Sequence, residues 1–154
     1  NSSKEAGASQ PHRHFQLLPR HYHDFICPRY EWFSSLLNNI NCKKSLISHC
    51  ISIKPRNKII GAGSNDLFNS YKSMINEMNL GDINLVDKPT KPYNLLITSE
   101  WIALIKRKTE RSNGFSINAL GFAGYFLGTK MSDVDSLIKF GPENILKNVI
   151  EDIN

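Results

Sequence analysis

Hydrophobic and polar positions along the chain predict two helical regions. Apolar residues recur at helical spacing from position 67 to position 78, and Gly81 follows as a stop signal. A second helical pattern begins near Ser132, where Asp135 completes a capping-box spacing. It breaks at Gly141 and continues with apolar positions as far as Ile153. Each region is expected to bury one apolar face.

Shorter apolar runs predict strands between these helices. Residues 46–53 alternate loosely, and Tyr93, Leu95 and Ile97 alternate before a turn at 98–100 and an apolar run at 101–105. The last two runs predict an antiparallel hairpin. Strands lie before and between the helical regions without regular βαβ alternation, which predicts an α+β domain built on an antiparallel sheet. The sequence contains no internal repeat and no sign of a second domain.

The first nineteen residues combine small residues with imidazoles. Gly7 begins a small, flexible stretch, and Pro11 can open a strand in which His12, His14 and Gln16 share one face. Imidazole is a nucleophile whose pKa lies near neutrality. A glycine-led turn can aim backbone N–H groups at an anion. The sequence therefore predicts covalent catalysis at this segment.

Composition and charge narrow the range of ligands that the chain is expected to bind. The chain has 154 residues, of which 40% are hydrophobic, and this fits one soluble globular domain. The longest nearly apolar run, at 120–128, is far shorter than the roughly 20 residues of a transmembrane helix. The net charge is +5, and the lysines and arginines of residues 20–60 favour a polyanion. No nucleic-acid-recognition motif is present, so a polyphosphate nucleotide fits better.

Three cysteines, at 27, 42 and 50, occur without a Cys-x-x-Cys pair. An odd count of this kind predicts reduced thiols in an intracellular compartment. Imidazole and thiolate also suit zinc, but the spacing of the candidates is irregular, so no structural metal is predicted. The candidates for such a site are His21, His23, Cys27, Cys42, His49 and Cys50.

Two segments resemble one family. The residues Gly7-Ala8-Ser9-Gln10-Pro11, followed by His-x-His-x-Gln, resemble the active-site strand of the histidine-triad superfamily, in the branch of the ATP adenylyltransferases (diadenosine tetraphosphate phosphorylases). Residues 93–96, 100–101, 116–124 and 141–146 are similar to the C-terminal region of the same enzymes. The resemblance implies a histidine-triad type of fold. It also implies that residues 1–154 are a single domain or its C-terminal part, with the active-site loop and strand at 1–19 and the C-terminal family region at 92–150.

The resemblance also implies a reaction. Diadenosine tetraphosphate would be attacked at its α-phosphorus by His14, ATP would leave, and phosphate would take the nucleotidyl group to give ADP. His12 would orient the His14 ring, and Gln16 would donate to a non-bridging oxygen. A methionine and a lysine of the family correspond here to Tyr125 and Thr129, with Lys130 one position later. The implied substrate-binding residues are Asn1, Gly7, Ala8, Ser9, Gln10, Asn118, Ala119, Leu120 and Tyr125.

The resemblance further implies nucleotide and phosphate as partners, magnesium or manganese as an optional divalent cation, and no organic cofactor. Because the chain begins at Asn1, within the family pattern, we expect the sheet to be incomplete at its N-terminus. An N-terminal segment of the same enzyme would then supply a phosphate-contacting lysine. The expected location is the cytoplasm, with the nucleus as an alternative. No membrane partner is expected.

Three alternatives stay open at the level of sequence. The first is nucleotidyl transfer between sugar phosphates and nucleotides, as in the uridylyltransferase relatives. The second is a nucleotide-binding module without turnover. The third is a small metalloprotein that uses His12 and His14 as ligands, with His21 or His23 completing the set.

Overall fold

The computed structural model of this chain describes residues 1–10, 15–18, 27–38, 50–56, 64–82 and 90–150. A 3₁₀ turn at Lys4–Ala6 precedes the first helix. The helices are α1 (Tyr30–Leu37), α2 (Ser64–Glu77), α3 (Ala119–Ala123), α4 (Val134–Phe140) and α5 (Pro142–Lys147). The strands are β1 (Ile51–Pro55), β2 (Tyr93–Ile97), β3 (Trp101–Lys106), β4 (Arg111–Ser112) and β5 (Phe115–Ser116).

A three-stranded antiparallel sheet organises these elements. Its strand order is β1-β3-β2, with Ile51 opposite Ile105 and Tyr93 opposite Lys106. The β2–β3 hairpin turns at Thr98, whose hydroxyl oxygen accepts the N–H groups of Glu100 and Trp101, both at 3.1 Å. The α+β class with an antiparallel sheet and flanking helices is therefore confirmed.

The central strand β3 is buried from Trp101 to Ile105 because both faces of the sheet are covered. On one face, Trp101 and Ile105 belong to a core with Phe33 of α1 and the apolar residues of α5. On the other face, Ile102 and Leu104 pack with residues of α2. The period-2 alternation of a strand divides its apolar side chains between these two cores.

The two predicted helical regions are confirmed, with changes at their ends. The helix α2 runs from Ser64 to Glu77 and ends before Gly81, as the stop signal predicts. The second region breaks at Gly141, where φ is +77°. Its first half differs from prediction, since the N-cap is Asp133 and not Ser132. Asp133 accepts the backbone N–H of Ser136 at 2.8 Å, which satisfies an otherwise unpaired donor of the first turn.

Two predictions of burial and length were wrong in this region. The second helical region was expected to bury its apolar face, yet the apolar residues Val134 and Ile138 of α4 are 51% and 77% exposed. The helical pattern was expected to run on beyond α5, but α5 ends at Lys147. Val149 and Ile150 are nevertheless buried, because their side chains still pack against the sheet after the helix has ended.

The predicted active-site strand is not a strand over its described part. Residues 15–18 have no regular secondary structure and are exposed. A strand needs a backbone partner, and no backbone hydrogen bond joins these four residues to another part of the chain that the structure describes. His12 and His14 lie outside the described residues. No helix in the described ranges is long and apolar enough to cross a membrane.

Candidate active site

The side chain of Asn1 joins two segments that are far apart in sequence. Its amide nitrogen donates to the carbonyl of Gly7 at 3.3 Å. Its amide oxygen accepts the backbone N–H of Ala119 at 2.9 Å and the Asn94 amide at 2.6 Å. The structure thus brings the N-terminal loop against the Asn118 segment, the two regions that the sequence assigned to nucleotide binding.

Close packing at this contact requires glycine at position 7. Gly7 ends the 3₁₀ turn in the left-handed conformation, with φ of +77°. A Cβ atom at this position would lie 2.4 Å from the carbonyl oxygen of Ile117 and 3.0 Å from the Cα of Asn118. A side chain is therefore excluded both by the backbone conformation and by the neighbouring segment.

Two backbone N–H groups of the N-terminal loop already donate hydrogen bonds within the loop. The N–H of Gly7 donates to Lys4 at 2.8 Å, and the N–H of Ala8 donates to Ser3 at 3.0 Å. The sequence-based prediction required these two amides to bind a phosphate. In this arrangement they are not free to do so, because both already donate within the loop. Ser9 and Gln10 are exposed, and their contact with a ligand stays a prediction.

Arg107 is a buried cation next to the contact between the Gly7 turn and the Asn118 segment. It is 2% exposed, and its Nη1 donates to the carbonyl of Ile117 at 2.8 Å and also to the side-chain oxygen of Asn94. Its Nε donates to Val149 at 3.1 Å and its Nη2 to Thr109 at 2.7 Å. Burial lowers the pKa of Arg107 to about 10, which leaves the guanidinium charged at neutral pH.

Asn94 completes this buried polar cluster. It is fully buried, and its amide nitrogen donates to the carbonyl of Ala6 at 2.7 Å, beside the Gly7 turn. The sequence analysis missed both residues. Arg107 lies between Lys106 and Lys108, and a run of three basic residues suggests an exposed surface, yet Arg107 is buried. An asparagine inside the otherwise apolar strand Tyr93–Ile97 was the available signal, because a buried amide requires partners.

The helix α3 carries the predicted nucleoside-contacting residues. Asn118 is its N-cap, and its side-chain oxygen accepts the N–H of Leu120 at 2.9 Å. Ala119 and Leu120 are half-buried in the first turn. Tyr125, 39% exposed, follows the helix, and its N–H donates to Leu120 at 2.9 Å. Of these residues, Asn118 adjoins Gly7 and Ala119 bonds to Asn1.

Of the three predicted catalytic residues, the structure describes Gln16 alone. Its side chain is exposed, and it lies outside regular secondary structure. His12 and His14 fall in the range 11–14, beyond the described residues. The roles of all three residues therefore stay predictions.

An apolar pocket of about 340 Å³ opens beside Asn1. It lies between α2 and the strands β2 and β3, and Phe15 of the predicted catalytic segment forms part of its wall. The sequence analysis did not predict it. The lining residues are Asn1, Ser2, Phe15, Leu67, Phe68, Tyr71, Tyr93, Leu95, Ile97 and Ile102.

The described residues offer little for a metal ion. No group of three or more His, Cys, Asp or Glu side chains comes together among them. Cys27 donates to the carbonyl of Ala123 at 3.5 Å, and burial raises the pKa of its thiol, so it carries a proton at neutral pH. Cys50 is buried in the core. The other zinc candidates, His21, His23, Cys42 and His49, lie outside the described ranges.

Comparison with known proteins gives two matches. The family model of the ATP adenylyltransferase C-terminal domain matches residues 29–150. Protein APA1 of Saccharomyces cerevisiae is 28% identical over 162 aligned positions, which cover 98% of this chain and 50% of the yeast protein. The chain spans about half the length of this curated relative. No solved structure matches the chain.

Proposed function

Since the chain belongs to the ATP adenylyltransferase C-terminal domain family, we propose that it serves nucleotidyl transfer on dinucleoside polyphosphates, with diadenosine tetraphosphate as the substrate. One observation carries the proposal. The Gly7 turn packs on Ile117 and Asn118, and Asn1 bridges the two segments through hydrogen bonds. Two regions chosen from the sequence for one ligand therefore adjoin one another in the fold.

The proposed reaction has two steps. In the first step, His14 attacks the α-phosphorus, a histidine–phosphorus bond forms, and the bond to the bridging oxygen breaks so that ATP leaves. In the second step, inorganic phosphate attacks the nucleotidyl-histidine, which releases ADP and restores the imidazole. Histidine suits this route because its phosphoramidate is reactive enough to pass the group on. The net products from diadenosine tetraphosphate and phosphate are ATP and ADP.

Residues around His14 have distinct proposed roles. His12 orients the imidazole, and Gln16, which is exposed, donates to a non-bridging oxygen in the transition state. Glutamine cannot take up a proton at neutral pH, so transfer to phosphate is favoured over attack by water. Ser9 and Gln10 contact phosphate oxygens from the exposed end of the loop. Magnesium or manganese, if required, would travel with the nucleotide phosphates.

Asn1 and the residues of and after α3 are proposed to bind the nucleoside part of the substrate. The helix cap engages the amide oxygen of Asn118, which leaves its amide nitrogen to donate to a ribose hydroxyl. Asn1 already accepts two hydrogen bonds through its oxygen. Its main contribution is therefore to fix the Gly7 turn against α3, with one amide hydrogen available for the ligand. Ala119, Leu120 and Tyr125 provide the surrounding surface.

Product analysis tests the proposal. Because the yeast relative is about twice as long, the assay uses this chain joined to the first half of APA1. With diadenosine tetraphosphate and phosphate, we expect equal amounts of ATP and ADP, and no product when phosphate is omitted. ATP and AMP formed without phosphate would indicate hydrolysis. Absence of any turnover, under conditions where intact APA1 is active, would contradict the proposed function.

A further inference from the structure

A series of hydrogen bonds runs from the buried Arg107 through Asn94 of β2 to Asn1. The guanidinium of Arg107 can only donate hydrogen bonds, and its Nη1 donates to the side-chain oxygen of Asn94. Arg107 is 2% exposed and Asn94 is fully buried, so bulk water cannot replace this contact. Arg107 therefore requires the oxygen of the Asn94 amide, and not its nitrogen, to face the guanidinium.

The nitrogen of Asn94 then faces two acceptors. It donates to the backbone carbonyl of Ala6 at 2.7 Å and to the side-chain oxygen of Asn1 at 2.6 Å. A reversed Asn94 amide would set its nitrogen against the guanidinium and its oxygen against the Ala6 carbonyl, which would leave buried groups unpaired. The direction of the Asn94 amide is thus fixed from both sides, and its nitrogen requires an acceptor from Asn1.

The amide of Asn1 has a fixed direction for the same reason. Its oxygen accepts from Asn94 and from the backbone N–H of Ala119 at 2.9 Å, and its nitrogen donates to the carbonyl of Gly7 at 3.3 Å. Among the described residues the side-chain nitrogen of Asn1 makes this one hydrogen bond, although it carries two hydrogens. Asn1 is half-buried, so the second N–H can be offered to a ligand.

An N–H group at this position suits the oxygen atoms of a nucleotide. Ionised phosphate oxygens only accept hydrogen bonds, and a donor that faces them makes a strong, charge-assisted contact. Ribose oxygens also accept. An amide oxygen in the same place would repel a phosphate. The direction of the Asn1 amide therefore decides whether this side chain attracts or repels the substrate.

We propose that Asn94, held by Arg107, is a positioning residue for nucleotide binding: it fixes the direction of the Asn1 amide so that an N–H, and not an oxygen, faces an acceptor oxygen of the nucleotide. The inference rests on the proposed function, in which Asn1 contacts the substrate. It goes further because it assigns the polarity of that contact to two buried residues. Asn94 and Arg107 act through Asn1 and do not touch the substrate.

Two substitutions of Asn94 separate amide direction from stability. Asn94→Asp keeps the shape and the oxygen that faces Arg107, but it presents a second oxygen to Asn1, whose amide must reverse to pair with it. Asn94→Leu has no hydrogen-bonding group, so Ala119 and Gly7 still hold the direction of Asn1. Asn148→Asp is the control for the change of charge, since Asn148 is exposed and its amide donates to the hydroxyl of Ser112 at 3.2 Å.

Steady-state kinetics of the chain joined to the first half of APA1 provide the first readout. KM for diadenosine tetraphosphate should rise roughly 10- to 100-fold in Asn94→Asp, the loss expected for a hydrogen bond to a charged group. It should rise less in Asn94→Leu and stay unchanged in Asn148→Asp. A contact that is equal in the bound substrate and in the transition state alters KM alone, so kcat per folded enzyme should change by less than about threefold.

A purely structural role of Asn94 predicts the opposite order. Asn94→Leu gives up every hydrogen bond of the amide, whereas Asn94→Asp keeps the one to Arg107. Leucine would then be the more harmful substitution. Its effect would be a smaller folded fraction, which lowers the apparent kcat and leaves KM as it is.

Side-chain amide signals of the isotope-labelled chain provide a second readout that needs no variant. Both amide hydrogens of Asn94 should exchange slowly with solvent, because each is buried and bonded. Addition of AMP should shift the side-chain amide signal of Asn1 and slow the exchange of one of its hydrogens. Adenosine separates the two oxygen sources: a shift with adenosine indicates a ribose oxygen, and a shift with AMP alone indicates a phosphate oxygen.

Contrary results separate the two proposals. If the parent enzyme turns over and Asn94→Leu raises KM as much as Asn94→Asp or more, Asn94 only stabilises the fold and the inference is wrong, while the proposed function stands. The same holds if AMP binds and the Asn1 amide signal does not respond. If the parent enzyme shows no turnover and AMP shifts no signal of the chain, the proposed function fails together with this inference.

Discussion

Gly7 and Arg107 show how single residues fix the candidate site. Gly7 allows the N-terminal turn to contact Ile117. Arg107 donates hydrogen bonds to the carbonyl of Ile117 and to the side-chain oxygen of Asn94. The sequence singled out Gly7 for ligand binding, but its described contacts are to the fold itself. Arg107 lies in a run of three basic residues that suggests a surface, and only its partners explain its burial. Local sequence could predict neither fact because both depend on contacts with distant residues.

Gly7→Ala should destabilise the chain and weaken nucleotide binding. The left-handed backbone alone costs roughly 1–2 kcal/mol for a residue with a Cβ, and the contact at 2.4 Å with Ile117 adds to this cost. Urea unfolding measures the loss. Gly128→Ala is the matched control, since a Cβ at Gly128 meets nothing within 4 Å among the described atoms and its φ is not in the left-handed region. Equal stability of the two variants would contradict the packing described for Gly7.

Arg107→Lys should cost roughly 2–4 kcal/mol in the free energy of unfolding, although it keeps the charge. A lysine cannot reproduce the planar set of donors, so buried carbonyls lose their partners. The exposed Arg111, whose side chain is 59% accessible, provides the control. Arg111→Lys should change stability by less than about 0.5 kcal/mol. If thermal and urea unfolding gave similar values for both variants, the buried network would not stabilise the fold as described.

The elements were predictable where periodicity was strong. The helix α2 and the β2–β3 hairpin were predicted from apolar spacing, since α2 buries one face and the hairpin contributes side chains to the cores on both faces of the sheet. The strand expected at 12–17 was inferred from alternation and a family pattern, and its described part is irregular. Alternation predicts a strand only where a neighbouring strand can pair with it. The cap of α4 moved by one residue because Ser132 and Asp133 are both good caps, and only the fold decides between them.

The cap of α4 should respond to pH. Hydrogen bonds from the hydroxyl and the backbone N–H of Ser136 lower the pKa of Asp133 below its ordinary value. A carboxyl with a lowered pKa stabilises the fold at a pH above its unfolded pKa, and this stabilisation is lost as pH falls through the folded value. Amide hydrogen exchange should therefore show α4 opening more readily in acid. Asp133→Asn, which can still cap, should remove this pH dependence, and an unchanged dependence would exclude Asp133 as its source.

On the scale of the whole molecule, one sheet with a core on each face supports the candidate site around Asn1 and the apolar pocket beside it. The Arg29–Glu143 ion pair, at 2.6 Å, links the start of α1 to α5 across the core that contains Trp101. Residues 1–10 are attached to the β2 edge by Ser2, whose N–H donates to Tyr93 at 3.0 Å. Residues 1–10, which precede the predicted catalytic residues in the sequence, are therefore anchored beside the pocket. Fold class and family followed from sequence, whereas the pocket and the buried cluster required the tertiary structure.

The central claim is that His14 carries the nucleotidyl group, and trapping that group tests it most directly. The chain joined to the first half of APA1 is incubated with labelled diadenosine tetraphosphate in the absence of phosphate. We expect a protein adduct that acid cleaves and base does not, as for an imidazole phosphoramidate, on the peptide from Pro11 to Pro19. His14→Ala should abolish the adduct, and His12→Ala should slow its formation without preventing it. An adduct that persists in His14→Ala, or that lies on another peptide, would contradict the claim.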